Sequence, residues 1–350
     1  MTTTELGAAG ATAPAAPIGT DDPGPLPAPG TPSIRRSVRL TLAIAIIRRI
    51  IGMIVVLWAA VTAAFLAIYA TPGNTADLIL GTSQKSPEAE AAVTAQWHLN
   101  RSVLTQYLHY VAGVLHGDFG TSYQLNAPVS RVIFSQLGST VELAVGGALV
   151  AIVLALLLSI TTAGRPWPSK IANAIELIVV SLPEFWLAIL LVFGVSFHLG
   201  WFPVAGAYGF SSLVLPSLAL GLGIFGMLSQ LLRGGIERSL DEPYSLSVRA
   251  RGVSNLQLRL RHSLRHAALP VVQLTGYVVG GLLGGAVIVE QVFSRPGIGQ
   301  ITLSAVGSKD LPVVLGVALL GAFAYVAVNT IVDVLALVID PRLRFTTKRS

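Results

Sequence analysis

From about residue 45 onward the chain alternates long apolar runs with short polar connections, several of them basic. A helix needs about 20 consecutive apolar residues to cross the hydrocarbon core of a bilayer. Six stretches qualify: residues 50–70, 140–163, 171–198, 213–232, 267–293 and 313–339. They predict an all-α integral membrane protein with six transmembrane helices, in a domain over residues 41–345. The third and fifth stretches carry polar or glycine-rich interruptions, which suit helices facing protein rather than lipid. Residues 71–139 form one long connection. It contains PEAEAAVTAQWHLN and VLTQYLHYVAGVLHG, each patterned as a short amphipathic helix.

Ahead of the spans, the chain is rich in Ala, Thr, Pro and Gly, with seven prolines from Pro14 to Pro32. Such a segment buries too little apolar surface to offset the entropy of ordering it. Residues 1–40 are therefore expected to be a disordered tail. No basic stretch precedes an apolar one there, so it does not read as a secretory signal.

Charge sets the orientation. With the N-terminus inside, 18 of the 23 Lys and Arg residues fall on the inner side. They lie in the tail, in the connection over residues 164–170, in the loop over residues 233–266 and at the C-terminus. Basic residues favour the cytoplasmic side, so both termini are expected there and residues 71–139 outside. Composition agrees: 53% of residues are hydrophobic and 11% charged, against roughly a quarter charged in a soluble domain. The net charge of +6 therefore concerns orientation and membrane lipid, not nucleic acid. The absence of cysteine removes disulfides, thiolate catalysis and Cys-ligated metal.

Enzyme motifs are missing. The chain has no GxxxxGK[ST] loop to cradle ATP, no HExxH and no GxSxG. Gly221, Gly223 and Gly226 match GxGxxG, but inside a span, where close helix packing explains them better than a nucleotide. Asn100-Arg101-Ser102 matches a glycosylation triplet too short to be informative. Gly276, Gly280 and Gly284 share one helix face, which serves either tight packing or a pathway lining. Acids inside spans are candidates for function. Glu142 and Glu290 lie near outer ends, and Glu176 and Asp333 near inner ends, where they can meet water. Glu184 lies 13 residues into its span, about 20 Å deep at 1.5 Å per residue. It follows Pro183, which loosens the helix ladder. It lines a path or makes a polar contact between helices. His198 has no neighbouring ligand in sequence, and nothing points to a metal site.

The densest charge lies in RARGVSNLQLRLRHSLRHAALP, residues 249–270, with five arginines and two histidines. Val253, Leu256 and Leu260 give it an apolar face at i, i+3 and i+7. That face suits either anionic lipid or a partner's groove, with Gly252 marking the turn into it.

Residue order goes further. Ala250-Arg251-Gly252, Arg261-His262-Ser263-Leu264-Arg265 and Leu269-Pro270 resemble the cytoplasmic loop signature of binding-protein-dependent ABC importer permeases, most of all the peptide-permease subgroup and its first-permease type. Tyr69-Ala70-Thr71-Pro72-Gly73 and Gly117-Asp118-Phe119-Gly120 with Pro128-Val129 are similar to further family segments. So are Leu182-Pro183-Glu184-Phe185-Trp186, residues 199–204, residues 290–299 and Asp340-Pro341-Arg342. Where the broad family places Glu-Ala-Ala before the loop glycine, this chain has Leu246, Ser247 and Val248, a departure that peptide permeases share.

The resemblance implies a type I importer permease in the bacterial cytoplasmic membrane, forming half of a translocation path and carrying no ATPase site of its own. Its implied partners are a second permease, two ABC ATPase subunits that bind ATP and Mg, and an extracytoplasmic substrate-binding (lipo)protein. No cofactor is expected on this chain. Dipeptides or oligopeptides are the first cargo, with nickel chelates, haem or another small solute as the alternative. A secondary transporter using Glu184 is a more distant reading. The resemblance assigns ATPase coupling to Arg249, Ala250, Arg251, Gly252, Val253, Leu256, Leu260 and His262. Glu184, Gly280, Gly284 and Glu290 are expected along the path from depth and span position.

Overall fold

The computed structural model describes residues 34–70, 75–80, 86–122 and 124–339. Residues 1–33 of the expected tail and the Asp340-Pro341-Arg342 motif lie outside the described residues. Helix α1 (Ile34–Ala70) starts inside the segment expected to be tail. In the connection expected on the outer side come α2 (Thr75–Leu80), α3 (Pro87–Gln96), α4 (Val103–Leu115) and a hairpin pairing β1 (Thr121–Ser122) with β2 (Ala127–Pro128). The two stretches expected as short amphipathic helices form α3 and α4, but only α4 separates apolar from polar faces; α3 buries Val93 alone. Each begins at a serine whose hydroxyl accepts a backbone N–H of the first turn: Ser86 from Ala89 at 3.1 Å and Ser102 from Thr105 at 3.4 Å. The hairpin has no periodic signature and was not foreseen.

The remaining helices are α5 (Val129–Thr162), α6 (Pro166–Ser181), α7 (Glu184–Leu191), α8 (Ser211–Asp241), α9 (Pro243–Ala250), α10 (Asn255–Leu258), α11 (Leu264–Val292), α12 (Ile298–Gly307) and α13 (Leu311–Ile339). Among the described residues, four helices have spans long and apolar enough to cross a membrane, namely α1, α5, α8 and α13. Helix α11 occupies the fifth expected span with 29 residues. The third expected span is not straight. Helix α6 and the segment Glu184–His198 meet at 101°. Pro183 has no N–H to continue the ladder, and it stands extended ahead of α7 at φ −60°, ψ 144°. Seven π-helical residues, Val192–His198, close that segment.

Helices α5 and α8 form the spine. On α5, Leu143, Gly147, Ala151, Ala155 and Ser159 are buried at every fourth position. A stripe of small residues lets two backbones approach in lipid, where apolar burial does not drive association. A Cβ on Gly147 would lie 2.9 Å from Leu220, and one on Gly221 would lie 2.7 Å from the Gly147 carbonyl oxygen. Near the inner end, the Ser159 hydroxyl donates to the Ser229 carbonyl at 3.0 Å. Outward-facing Ile54, Val55 and Trp58 on α1 are more than half exposed, as a lipid-facing surface requires.

Candidate functional site

The loop expected on the cytoplasmic side departs from α8 through α9 and turns at Gly252. That glycine holds φ +80° with open space where a Cβ would be, so backbone conformation rather than crowding favours it. Ser254 then caps α10, accepting the Gln257 N–H at 3.3 Å. A π-helical turn over Arg259–Ser263 leads into α11.

One side of this loop is fastened to the bundle. Ser245 donates to the Leu240 carbonyl at 2.7 Å, Leu258 is fully buried and Val248 packs on the central core. Arg249, Ala250, Arg251, Gly252, Leu256, Leu260 and His262 are all exposed. Val253 is the exception among the expected docking residues. It is half-buried against the core, because the Gly252 turn breaks the helical register assumed between Val253 and Leu256. The outward apolar face is instead Leu256, Leu260 and Leu246, at 54%, 45% and 68% exposure. Leu246 was missed because it precedes the turn and shares no single helix with the other two.

Arg259 is also turned inward. Its Nη1 donates to the Ile160 carbonyl at 3.1 Å, while its Nε has no partner. Burial pulls its pKa below the usual arginine range, and repulsion from Arg165 and Arg249 adds to the shift. Arg259, Arg165 and Arg249 thus bring positive charge together at this end of the bundle.

Within the bundle, Glu184 stands at the start of α7, beside the bend. Its carboxylate occupies the space that side chains at Gly223 of α8 and Gly285 of α11 would fill, with virtual Cβ positions 2.7 and 2.3 Å from its oxygens. The glycine pattern at 221–226 is therefore packing. Gly221 meets α5, Gly223 meets Glu184, and a Cβ on Gly226 would lie 2.5 Å from Val180 of α6. The Gly280–Gly284 face divides. A Cβ on Gly280 would touch Tyr325 of α13 at 3.6 Å, whereas Gly284 faces open space.

Glu176 corrects an expectation. It does not reach water but is fully buried and paired with Arg233 of α8 through two contacts of 2.7 Å. Ser229 donates to the same carboxylate at 2.5 Å, and Asn173 accepts from the guanidinium. A buried acid implies a partner, but nothing local in the sequence singles out Arg233, which was counted as a loop residue.

Glu290 is likewise fully buried. Its carboxylate accepts the Thr140 hydroxyl at 2.6 Å and the N–H groups of Gly299 and Gln300 at 2.8 and 3.3 Å. A carboxylate at a helix N-terminus is well placed against the unsatisfied amides and the dipole. Glu290 therefore caps α12 and presents no surface to a path in this chain, contrary to the expectation for it. Nearby, Arg295 pairs with Glu142 at 2.9 Å. Beside α12 lies a cavity of about 800 Å³ lined by Gln124, Gln136, Gln291, Gln300, Ser304 and Asp310, among others. Asp310 accepts the Ser122 hydroxyl at 2.5 Å. Among the described residues no group of three or more His, Cys, Asp or Glu side chains could hold a metal ion.

Long apolar helices, joined by a loop that exposes leucines and arginines around a glycine turn, define a helical membrane protein. The comparisons make this specific. Residues 151–345 match the family described as "Binding-protein-dependent transport system inner membrane component". Residues 42–144 match its N-terminal companion, "Binding-prot-dependent transport system membrane comp, N-term". The chain belongs to this family of ABC importer permeases.

The glutathione transport system permease protein GsiC of Salmonella typhi is 35% identical over 306 residues, covering 86% of this chain and 98% of that protein. GsiC of Escherichia coli (strain K12) is 34% identical over the same length and coverage. A chain of the MetNI methionine ABC transporter, solved in an inward-facing conformation, overlaps 61% of this chain and 96% of its own length, with 17% identity and a TM-score of 0.45. Family membership makes this chain a multi-pass permease subunit of the cytoplasmic membrane with the type I importer fold, and without an ATPase site of its own. It also implies ATPase and substrate-binding protein partners.

Proposed function

We propose that this permease forms half of the path for dipeptides, oligopeptides or short peptide-like solutes such as glutathione. A second, homologous permease completes the path, and two ATPase subunits carrying ATP and Mg drive it. The observation that supports coupling is the loop from Arg249 to His262. Its Leu256 and Leu260, with Leu246, stand exposed on a segment whose other side is hydrogen-bonded and packed to the bundle. A groove on the ATPase would cover those leucines, and Arg249 and Arg251 would meet acids at its rim. Movement of the ATPase pair then pulls on a rigidly attached lever and shifts the bundle between inward-open and outward-open states. On the path side, Glu184 at the bend and the open face at Gly284 are the positions we assign to the lining. The similarity to glutathione permeases supports peptide-like cargo.

The test is ATP-dependent uptake of labelled glutathione and dipeptides by proteoliposomes holding the subunits that co-purify with this chain. Gly252→Asp and Leu256→Asp are the variants. Leu256 is exposed, and surface substitutions away from special features usually change stability by about 0.5 kcal/mol or less; Gly252 is exposed too, but at φ +80° its replacement by Asp also strains the turn. A buried interface anchor is worth roughly 2 kcal/mol or more when lost. Uptake should collapse while the chain stays in the membrane. Unchanged uptake in both variants, or uptake without ATP, would sink the coupling assignment.

A further inference from the structure

We infer that α4 is an interfacial helix that rests on the lipid of the outer leaflet. Its thirteen residues present three separate faces. Gln106 is buried and Tyr110 packs beside α1 and Trp97. Leu104, Leu108 and Leu115 are exposed at 67%, 58% and 80%. At 3.6 residues per turn these three leucines fall within about 40° of arc. His109 lies about 100° beyond the edge of that stripe, its ring tilted against that of His98 with centroids 4.0 Å apart.

What covers the leucine stripe follows from where α4 is attached. Tyr107, next to the stripe, hydrogen-bonds Thr62 of α1 at 2.8 Å, and Phe65 of α1 packs against the rings of Tyr107 and Tyr110. Thr62 lies within the apolar span Ile50–Ala67, about 7.5 Å from its outer end at 1.5 Å per residue. Helix α4 is therefore held at the depth where the span leaves the hydrocarbon, and tyrosines favour that depth. Leu66, one turn beyond Thr62 on α1, is likewise exposed, at 56%. A helix with an apolar stripe at this level buries it in the acyl boundary and keeps its polar side in water. The stripe would hold the outer domain, including α3 and the hairpin, at a fixed height over the bilayer.

The absence of native cysteine makes single spin labels clean. Leu104→Cys and Leu108→Cys would each be labelled in the full chain, reconstituted with its co-purifying subunits in phosphatidylethanolamine/phosphatidylglycerol nanodiscs. Leu66→Cys serves as the lipid reference and Glu90→Cys, on exposed α3, as the water reference. The expected result is oxygen collision as at residue 66, with loss of the access to a water-soluble nickel chelate seen at residue 90. Chelate access at both leucine positions would show water there and overturn the proposal. Protection from both reagents would show a protein covering the stripe and would overturn it equally. Two separate variants keep the test valid if one fails to assemble.

Discussion

Replacing Arg233 with methionine isolates one buried interaction. In the structure its guanidinium makes both 2.7 Å contacts to Glu176 and also donates to Asn173, and the two charged side chains are 4% and 0% exposed. Methionine keeps much of the side-chain length but removes the charge and the donors. Glu176 is left with the Ser229 hydroxyl and no countercharge. Removing one member of a buried pair costs about 3–5 kcal/mol, whereas replacing both by apolar side chains is often neutral or stabilising. Arg233→Met should therefore destabilise by about 3–5 kcal/mol, and adding Glu176→Met should recover most of that loss. Reversible unfolding in mixed detergent micelles gives the energies. Monodisperse protein surviving a heating series is an independent readout. If the two single losses simply add in the double variant, or if Arg233→Met costs less than about 0.5 kcal/mol, the pair is not the interhelical clasp described here.

Other consequences are sharp enough to check. A Cβ on Gly299 would lie 2.4 Å from the Val287 Cα; backbone cannot swing aside, so Gly299→Ala should destabilise by roughly 1–3 kcal/mol as overpacking does, read as lost heat resistance. Gly223→Ala pushes on Glu184, so shortening that side chain by Glu184→Ala in the same chain should restore the thermal stability that Gly223→Ala removes. Burial raises the Asp310 carboxyl above its ordinary 3.8, the Ser122 hydroxyl and Val313 amide opposing part of the shift. An acid with a raised folded-state pKa binds its proton more tightly when folded, so its contribution is fully present below 3.8 and is lost as pH rises through the folded value. Asp310→Asn should flatten that fall in stability, measured as amide-exchange protection of β1 and β2 across acid to neutral pH.

Hydropathy is a property of each residue's own transfer from water to lipid, which is why a running pattern located the helices and basic residues set their orientation. The same pattern found α3 and α4, and residue order placed the cytoplasmic loop and its turn at Gly252. Pairing depends on two residues at once and leaves no local trace. Glu176 and Arg233 are 57 positions apart, and Glu290 and Thr140 are 150 apart. Only the folded bundle shows that the first acid is neutralised and the second caps a helix. Glu184 shows the division within one residue. Its depth and its proline neighbour are written in the sequence, but the space left for it by Gly223 and Gly285 exists only once three helices have met. Likewise Val253 belongs to a repeating apolar pattern, yet the left-handed turn before it breaks the register and sends its side chain inward. The sequence by itself determined which segments leave water and on which side the charge remains. Tertiary structure decided which polar groups satisfy one another, because in an apolar medium each must find a partner and many partners are chemically equivalent until geometry selects one.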